Sequence, residues 1–156
     1  MISLEIPGYG KLELWHIVLD YNGTTSLDGE LLPGVAEALT ALSGQLTVHV
    51  LTADTFGLAA QRLANVPCRL TVLGPQAQDE AKAAYVRNLG TGETVCLGNG
   101  RNDRLMIEEA RLGIAVIGPE GAAGPTLARA DIVVKDVMAA LGLLIHPLRL
   151  TATLRS

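Results

Sequence analysis

The feature that most constrains this sequence is a regular alternation of short apolar runs with stretches of helical periodicity. Runs rich in Val, Ile and Leu are typical of strands buried on both faces of a parallel sheet. We predict six such strands, at Trp15–Leu19, Gln45–Leu51, Arg69–Leu73, Thr94–Leu97, Gly113–Ile117 and Asp131–Val134. The helical patterns fall at Gly34–Ser43, Phe56–Leu63, Gln76–Leu89, Asp103–Arg111, Thr126–Ala128 and Val137–Leu144. This order predicts an α/β fold, a doubly wound Rossmann-like parallel sheet with helices on both faces.

Length and composition limit the number of domains and exclude several classes of protein. The 156 residues suit one domain, and no linker interrupts them. We therefore predict a single domain over 1–156, with an N-terminal hairpin at 1–14, a core at 15–134 and a C-terminal helical segment at 135–156. A net charge of −4 and only 3% aromatic residues argue against nucleic-acid or membrane partners. Without a basic leader or an apolar run of about 20 residues, the sequence predicts a cytoplasmic protein.

Polar residues follow three of the predicted strands, at the sheet edge where proteins of this fold class bind ligands. They form the segments Asp20-Tyr21-Asn22-Gly23-Thr24, Thr52-Ala53-Asp54 and Gly98-Asn99-Gly100-Arg101-Asn102-Asp103, and Lys82 lies in the helix before the fourth strand. A carboxylate at a strand end can attack phosphorus, and a hydroxyl or an ammonium group can bind the developing charge. Carboxylate and amide oxygens can hold Mg²⁺. Together these residues indicate phosphoryl transfer.

The same segments resemble the four motifs of the haloacid dehalogenase (HAD) superfamily. The first motif is an apolar strand followed by D-x-D-G-T, the second an apolar strand closed by Ser or Thr, the third a lysine and the fourth G-D-G-x-N-D-x-x-M-L. In chain order they match Ile17–Thr24, Val48–Thr52, Lys82 and Gly98–Met106. The resemblance extends from Trp15 to about Val134. The stretch from Gly98 to Ala122 is most similar to soluble phosphatases related to the phosphorylation domain of P-type ATPases.

The resemblance implies a Mg²⁺-dependent phosphohydrolase and gives each matching residue a role. The catalytic residues would be Asp20 as the nucleophile, Asn22, and Thr52 and Lys82 as ligands of the phosphoryl oxygens. The substrate-binding residues would be Gly23, Thr24, Ala53 and Asn102. The Mg²⁺ site would comprise Asp20, the backbone carbonyl of Asn22, Asn99 in the direct ligand position, and Asp103. Asn102 and Asp103 would support the metal-bound waters or Lys82.

Two positions depart from the family pattern. Phosphatases of the superfamily usually carry an aspartate where this chain has Asn22, and an asparagine cannot exchange a proton at neutral pH. Asn99 likewise replaces an aspartate, which removes one negative charge from the metal site. We therefore expect slow turnover that favours good leaving groups. The alternative is a catalytically impaired relative that binds a phosphorylated ligand or partner protein.

The spacing of the motifs also predicts what surrounds the site. About thirty residues separate Asp20 from Thr52, and about thirty separate Thr52 from Lys82, so neither gap holds a cap domain. The segment Thr25–Leu32 is long enough only for a flap. We expect small-molecule substrates (a phosphate ester, an acyl phosphate or an anhydride) and a homo-oligomer whose neighbouring subunits help to cover the site. A phospho-acceptor signalling domain and a dinucleotide-binding domain fit less well, because their characteristic acidic and glycine positions are not found here.

Overall fold

A computed structural model describes residues 1–156 and is built around a six-stranded parallel sheet. The strands are β1 (Ile2–Ile6), β2 (Gly10–Leu14), β3 (His16–Asp20), β4 (Ser26–Leu27), β5 (Glu30–Leu31), β6 (Thr47–Thr52), β7 (Arg69–Val72), β8 (Thr94–Gly98), β9 (Leu112–Val116) and β10 (Ile132–Val134). The helices are α1 (Val35–Leu42), α2 (Ala59–Arg62), α3 (Gln78–Leu89), α4 (Arg104–Glu109), α5 (Gly124–Leu127), α6 (Val137–Ile145) and α7 (Leu148–Leu154). The central sheet has the order β10-β9-β8-β3-β6-β7. The predicted doubly wound fold is confirmed.

Strand β3 lies in the middle of the sheet because its residues are apolar on both faces. It pairs in parallel with β6 on one side and with β8 on the other. Ile17 and Leu19 point into one core and Val18 into the other, as the period of two in a strand requires. All three side chains are fully buried. The chain leaves this strand at Asp20, which therefore sits at the centre of the carboxyl edge.

Helices cover the two faces of the sheet unequally. The larger core contains residues of α1 and α6, together with apolar residues of the β1–β2 hairpin. The smaller core lies under α3 and α4 and includes Val86 and Met106. Helix α3 is the only long helix that buries a charged residue, Lys82.

Two antiparallel hairpins complete the fold. Strands β1 and β2 pair from Ile2 opposite Leu14 to Ile6 opposite Gly10. Strands β4 and β5 form a short ribbon above the carboxyl edge, within the segment predicted to form a flap. No cap domain is inserted between β3 and β6 or between β6 and β8, as the sequence predicts.

The start of α2 differs from the sequence-based prediction. The pattern predicts a helix from Phe56 to Leu63, but α2 begins only at Ala59, because Asp54 and Gly57 adopt positive φ angles of 51° and 69°. The Asp54 carboxylate accepts a hydrogen bond from the Ala59 backbone N–H at 3.1 Å and marks the start of the helix. Helix α7 lies in the segment after Pro147 and buries Leu150.

No single helix is long and apolar enough to cross a membrane. Only α6 and α7 taken together reach that length and apolarity, and the two helices are bent by 110° at the break between them.

Candidate active site

Three strand ends bring the predicted polar residues to one edge of the sheet. Asp20 pairs with Leu51, so the end of β3 lies beside Thr52 at the end of β6. On the other side, β8 ends at Gly98 and is followed directly by Asn99. A cavity of about 190 Å³ opens between these ends, with a single apolar residue in its wall. The lining residues are Asp20, Asn22, Ala53, Thr55, Gln78, Lys82, Asn99, Gly100, Asn102 and Glu120.

A buried ammonium group joins two buried carboxylates at the base of this cavity. Lys82 Nζ donates to Asp20 Oδ1 and to Asp103 Oδ1, each at 2.6 Å. The Lys82 side chain is only 1% exposed, and that of Asp103 is fully buried. Burying such charges without partners would cost several kcal/mol per ion, and the two contacts of Lys82 offset part of that cost.

The charges in this cluster do not balance, because two carboxylates share one ammonium group. Burial and then the Asp103 carboxylate raise the pKa of Asp20, Lys82 and Thr24 lower it, and the net pKa is raised to about 7. Burial by itself lowers the pKa of Lys82, but the carboxylates of Asp20 and Asp103 outweigh this effect and the net pKa is raised. Both shifts indicate a site that attracts positive charge.

Asp103 lies behind the cavity rather than in its wall. Its Oδ2 accepts hydrogen bonds from the backbone N–H groups of Asn99 at 3.1 Å and Gly100 at 2.9 Å, while its Oδ1 holds Lys82. Gly98 makes room for it, because a Cβ at that position would lie 2.5 Å from Asp103 Cγ. Both oxygens of Asp103 are thus taken by protein donors. These contacts suit a residue that positions Lys82 and the backbone after β8.

The loop after β3 is a tight turn that fixes Asp20 from the other side. The Tyr21 carbonyl accepts from the backbone N–H groups of Thr25 at 3.1 Å and Ser26 at 3.0 Å. Gly23 adopts a φ of +80°, which L side chains rarely tolerate. The turn places the buried Thr24 hydroxyl 3.0 Å from Asp20 Oδ2.

Thr52 and Thr24 are close to the nucleophile position but do not line the cavity. Thr52 Oγ1 accepts from Asn22 Nδ2 at 3.2 Å and from the Asp54 backbone N–H at 2.8 Å. Of the other predicted residues, Gly23 also lies outside the cavity wall, whereas Ala53 and Asn102 form part of it. Asn102 Nδ2 donates to Gln78 Oε1 at 2.9 Å, which fixes its amide.

Some residues of the cavity wall were not singled out from the sequence. Gln78 precedes Lys82 by one helical turn, so the spacing i, i+4 puts both on one face of α3. Glu120 follows β9, and looking for polar residues at the end of that strand, as was done for three others, would have found it. Thr55 belongs to the irregular loop before α2, and no sequence pattern marks it.

The oxygen atoms of the cavity can hold a divalent cation. Asp20 Oδ2 and Asn99 Oδ1 each lie 3.0 Å from the Thr24 hydroxyl, which has only one proton to donate. At least one of these two oxygens therefore has a lone pair available for another partner. No group of three or more His, Cys, Asp or Glu side chains could hold a metal ion. The Asp20 carboxylate and the Asn99 amide oxygen are ligands of the kind that hard divalent cations prefer.

Comparison with solved structures identifies the class of fold. A 3-deoxy-D-manno-octulosonate 8-phosphate phosphatase from Moraxella catarrhalis, in complex with magnesium, phosphate and KDO, has a TM-score of 0.70 at 18% identity and covers 85% of this chain and 86% of its own. The cobalt-bound deoxy-D-mannose-octulosonate 8-phosphate phosphatase from Haemophilus influenzae has a TM-score of 0.71 at 15% identity, covering 86% and 88%. A haloacid dehalogenase-like hydrolase from Streptococcus pneumoniae has a TM-score of 0.61 at 12% identity, covering 84% and 98%. The chain has the HAD-like fold, as its motifs predict.

Comparison of sequences identifies nearer relatives. An uncharacterized protein of Methanocaldococcus jannaschii is 52% identical over 61 residues, which are 39% of this chain and 66% of that protein. A second uncharacterized protein of the same organism is 46% identical over 39 residues, which are 25% of this chain and 89% of that protein. The chain belongs to the same family as this second protein. No family model matches the chain.

Proposed function

We propose that this protein is a divalent-cation-dependent phosphohydrolase that works through an aspartyl-phosphate at Asp20. The observation that carries the proposal is the fixed position of that carboxylate: Lys82 holds one oxygen at 2.6 Å, the Thr24 hydroxyl lies 3.0 Å from the other, and the residue faces the cavity. A carboxylate held in this way is oriented for attack before the substrate arrives. The phosphatases with the same fold support this choice of chemistry.

Two displacements at phosphorus complete the reaction. A carboxylate oxygen of Asp20 forms a bond to phosphorus while the bond to the leaving oxygen breaks, and the leaving group departs with its electron pair. Water then attacks the same phosphorus, the bond to Asp20 breaks, and inorganic phosphate and the free carboxylate result. The attacking water releases its proton to the solvent, and the leaving oxygen takes a proton from the solvent. Lys82 keeps positive charge next to the phosphoryl group in both steps, and Asp103 keeps Lys82 in place.

The cation would be held by Asp20, the Asn22 carbonyl and Asn99. When bound, it neutralises charge on the phosphoryl oxygens. The structures of the Moraxella and Haemophilus phosphatases, which contain magnesium and cobalt, support a divalent metal for this chain. Asn102 and Ala53, in the wall of the cavity, are placed to contact the phosphate.

Replacing Asp20 tests the proposal. Asp20→Asn removes the nucleophile, so with Mg²⁺ its turnover of 4-nitrophenyl phosphate and acetyl phosphate should fall by at least about 10³-fold. Asp28→Asn is the matched control, because Asp28 is exposed in the β4–β5 turn and does not line the cavity. Turnover by Asp20→Asn equal to that of the control would refute the proposal.

The rate of hydrolysis should depend on the leaving group, because Asn22 cannot donate a proton to it. Asn22→Asp places a carboxyl group where the proton is needed, and Thr52 can donate its hydroxyl hydrogen to the new oxygen. We expect the hydrolysis of alkyl phosphates to rise at least about tenfold, and that of aryl phosphates to change less. Equal effects on both substrate classes in parallel steady-state assays would contradict this role of position 22.

The size of the cavity indicates what kind of substrate binds. A volume of about 190 Å³ with polar walls accommodates a phosphoryl group and little more. The rest of a small phosphate ester, acyl phosphate or anhydride would lie outside, beneath the β4–β5 ribbon. This ribbon is too short to close the site, so a neighbouring subunit of a homo-oligomer remains the predicted cover.

The alternative, a relative that only binds phosphorylated ligands, is not favoured by these observations. The contacts of Asp20 with Lys82 and Thr24 support a nucleophilic role for this carboxylate. The resemblance to P-type ATPases stays a prediction, since the solved structures described above are phosphatases and a hydrolase.

A further inference from the structure

The geometry points to Glu120 as the residue that supplies the carboxylate missing from position 99. This inference rests on the proposed function, because it concerns the cation of the same site. Glu120 lies in the loop after β9 and shares the cavity wall with Asp20, Asn22 and Asn99. It would give the cation a negatively charged oxygen donor that the amide of Asn99 does not provide.

Asn99 itself fixes the loop that carries Glu120. Its Nδ2 donates to the Gly121 carbonyl at 3.0 Å, and its own carbonyl accepts from the Ala123 backbone N–H at 2.8 Å. An aspartate at this position would place a carboxylate oxygen against the Gly121 carbonyl and lose the first bond. Asn99 therefore holds the loop that carries Glu120 in place. The negative charge missing at position 99 is present at position 120.

Gly23 leaves the space that the Glu120 side chain enters. A Cβ added to Gly23 would collide with Glu120 Oε2 and would lie 3.0 Å from Asn99 Nδ2. The carboxylate is thus directed over the turn after β3, next to the backbone that carries the Asn22 carbonyl. The Glu120 side chain therefore extends into the region of the proposed cation ligands.

Glu120 forms no salt bridge with a lysine or an arginine of the protein. Five of the other glutamates form salt bridges with lysine or arginine, namely Glu13, Glu30, Glu80, Glu108 and Glu109. Glu120 accepts no hydrogen bond from any side chain or backbone group, and its neighbours in the cavity include the carboxylate of Asp20. A carboxylate that has no positive partner of its own is stabilised when a cation binds within its reach.

Binding of Mn²⁺ to the full-length protein tests the inference without relying on activity. Free Mn²⁺ is measured by electron paramagnetic resonance during titration of wild type, Glu120→Gln and Glu37→Gln. Glu37 is an exposed glutamate of α1 without a salt bridge and away from the cavity, so its variant controls for the loss of one negative charge. We expect Glu120→Gln to bind Mn²⁺ at least about tenfold more weakly than Glu37→Gln.

The outcomes separate this inference from the proposed function. Dissociation constants within a factor of two for the two variants would overturn the role of Glu120, while loss of turnover in Asp20→Asn would leave the proposed function intact. Failure of the wild type to bind Mn²⁺ at millimolar concentration would overturn both. Weaker binding in Glu120→Gln together with tight binding in Glu37→Gln supports the inference.

Discussion

Helix α3 covers two polar networks that differ in their charge and in how deeply they are buried. Lys82 joins the carboxylates of Asp20 and Asp103 at the carboxyl edge of the sheet. One turn further along the helix, Tyr85 lies 2.8 Å from His49 Nδ1, and His49 Nε2 lies 3.1 Å from His16 Nδ1. In both networks every buried polar side-chain atom has a partner. The first network is charged and the second neutral.

The neutral network can satisfy all its members without any ion. If the Tyr85 hydroxyl donates to His49 Nδ1, the other nitrogen of His49 can donate to His16. Burial, and to a lesser extent His16 and Arg69, together lower the pKa of His49 to about 4. A neutral network whose members are all hydrogen-bonded is sufficient for a purely structural role in the core. The charged network is more costly to bury and lies where the chemistry is proposed, which indicates that it is kept for reactivity.

The largest expected effect comes from removing the ammonium group. Lys82→Met leaves two buried carboxylates without a cation and should lower the free energy of unfolding by about 3–5 kcal/mol, in addition to abolishing turnover. Urea denaturation followed by circular dichroism measures the change. Lys135→Met is the control, because Lys135 is exposed and makes no salt bridge, and it should stay within about 0.5 kcal/mol of wild type.

The neutral network offers a second comparison on the same helix. Tyr85→Phe removes one hydrogen bond to His49 and should cost about 1 kcal/mol without changing turnover. The contrast between the two networks would be lost if Lys82→Met and Tyr85→Phe destabilised the protein equally.

A third comparison concerns the pH dependence of stability. The pKa of His49 is lower in the folded protein than in the unfolded chain, so below about pH 6.5 the unfolded chain binds a proton that the folded protein does not. The wild type should therefore lose stability as the pH falls from about 6.5 to 4, by about 2 kcal/mol more than His49→Gln loses over the same range.

Denaturation curves at several pH values measure this difference. His146→Gln serves as the control, since His146 is exposed, and it should keep the wild-type slope. Parallel slopes for wild type and His49→Gln would show that the buried histidines do not have to stay neutral.

The sequence was sufficient to predict site residues where a polar residue directly follows a predicted strand. Asp20 and Asn99 could be placed because short apolar runs end directly before them, and parallel strands end at one edge. Lys82 is one of three lysines and could be assigned from its spacing. Its second partner could be given only as an open option, since both Lys82–carboxylate contacts depend on how α3 docks.

Other features depend on contacts that no local pattern encodes. The late start of α2 results from the positive φ angles of Asp54 and Gly57, which the helical periodicity of the segment conceals. Helix α7 is held by Leu150 in the core and by the Ser156 backbone N–H, which donates to the Pro7 carbonyl at 3.1 Å. Glu120 looks like an ordinary loop glutamate until the turn containing Gly23 is brought beside it.

The salt bridges of Lys82 also affect the order in which the chain can fold. Lys82 is separated by 62 residues from Asp20 and by 21 from Asp103, so neither contact can form locally. We expect these three charges to remain hydrated until the central strands have paired and α3 has docked, because contacts between distant residues form only after the intervening loops have closed. The nucleophile would then be assembled in one of the last steps, and partly folded chains would expose no reactive site.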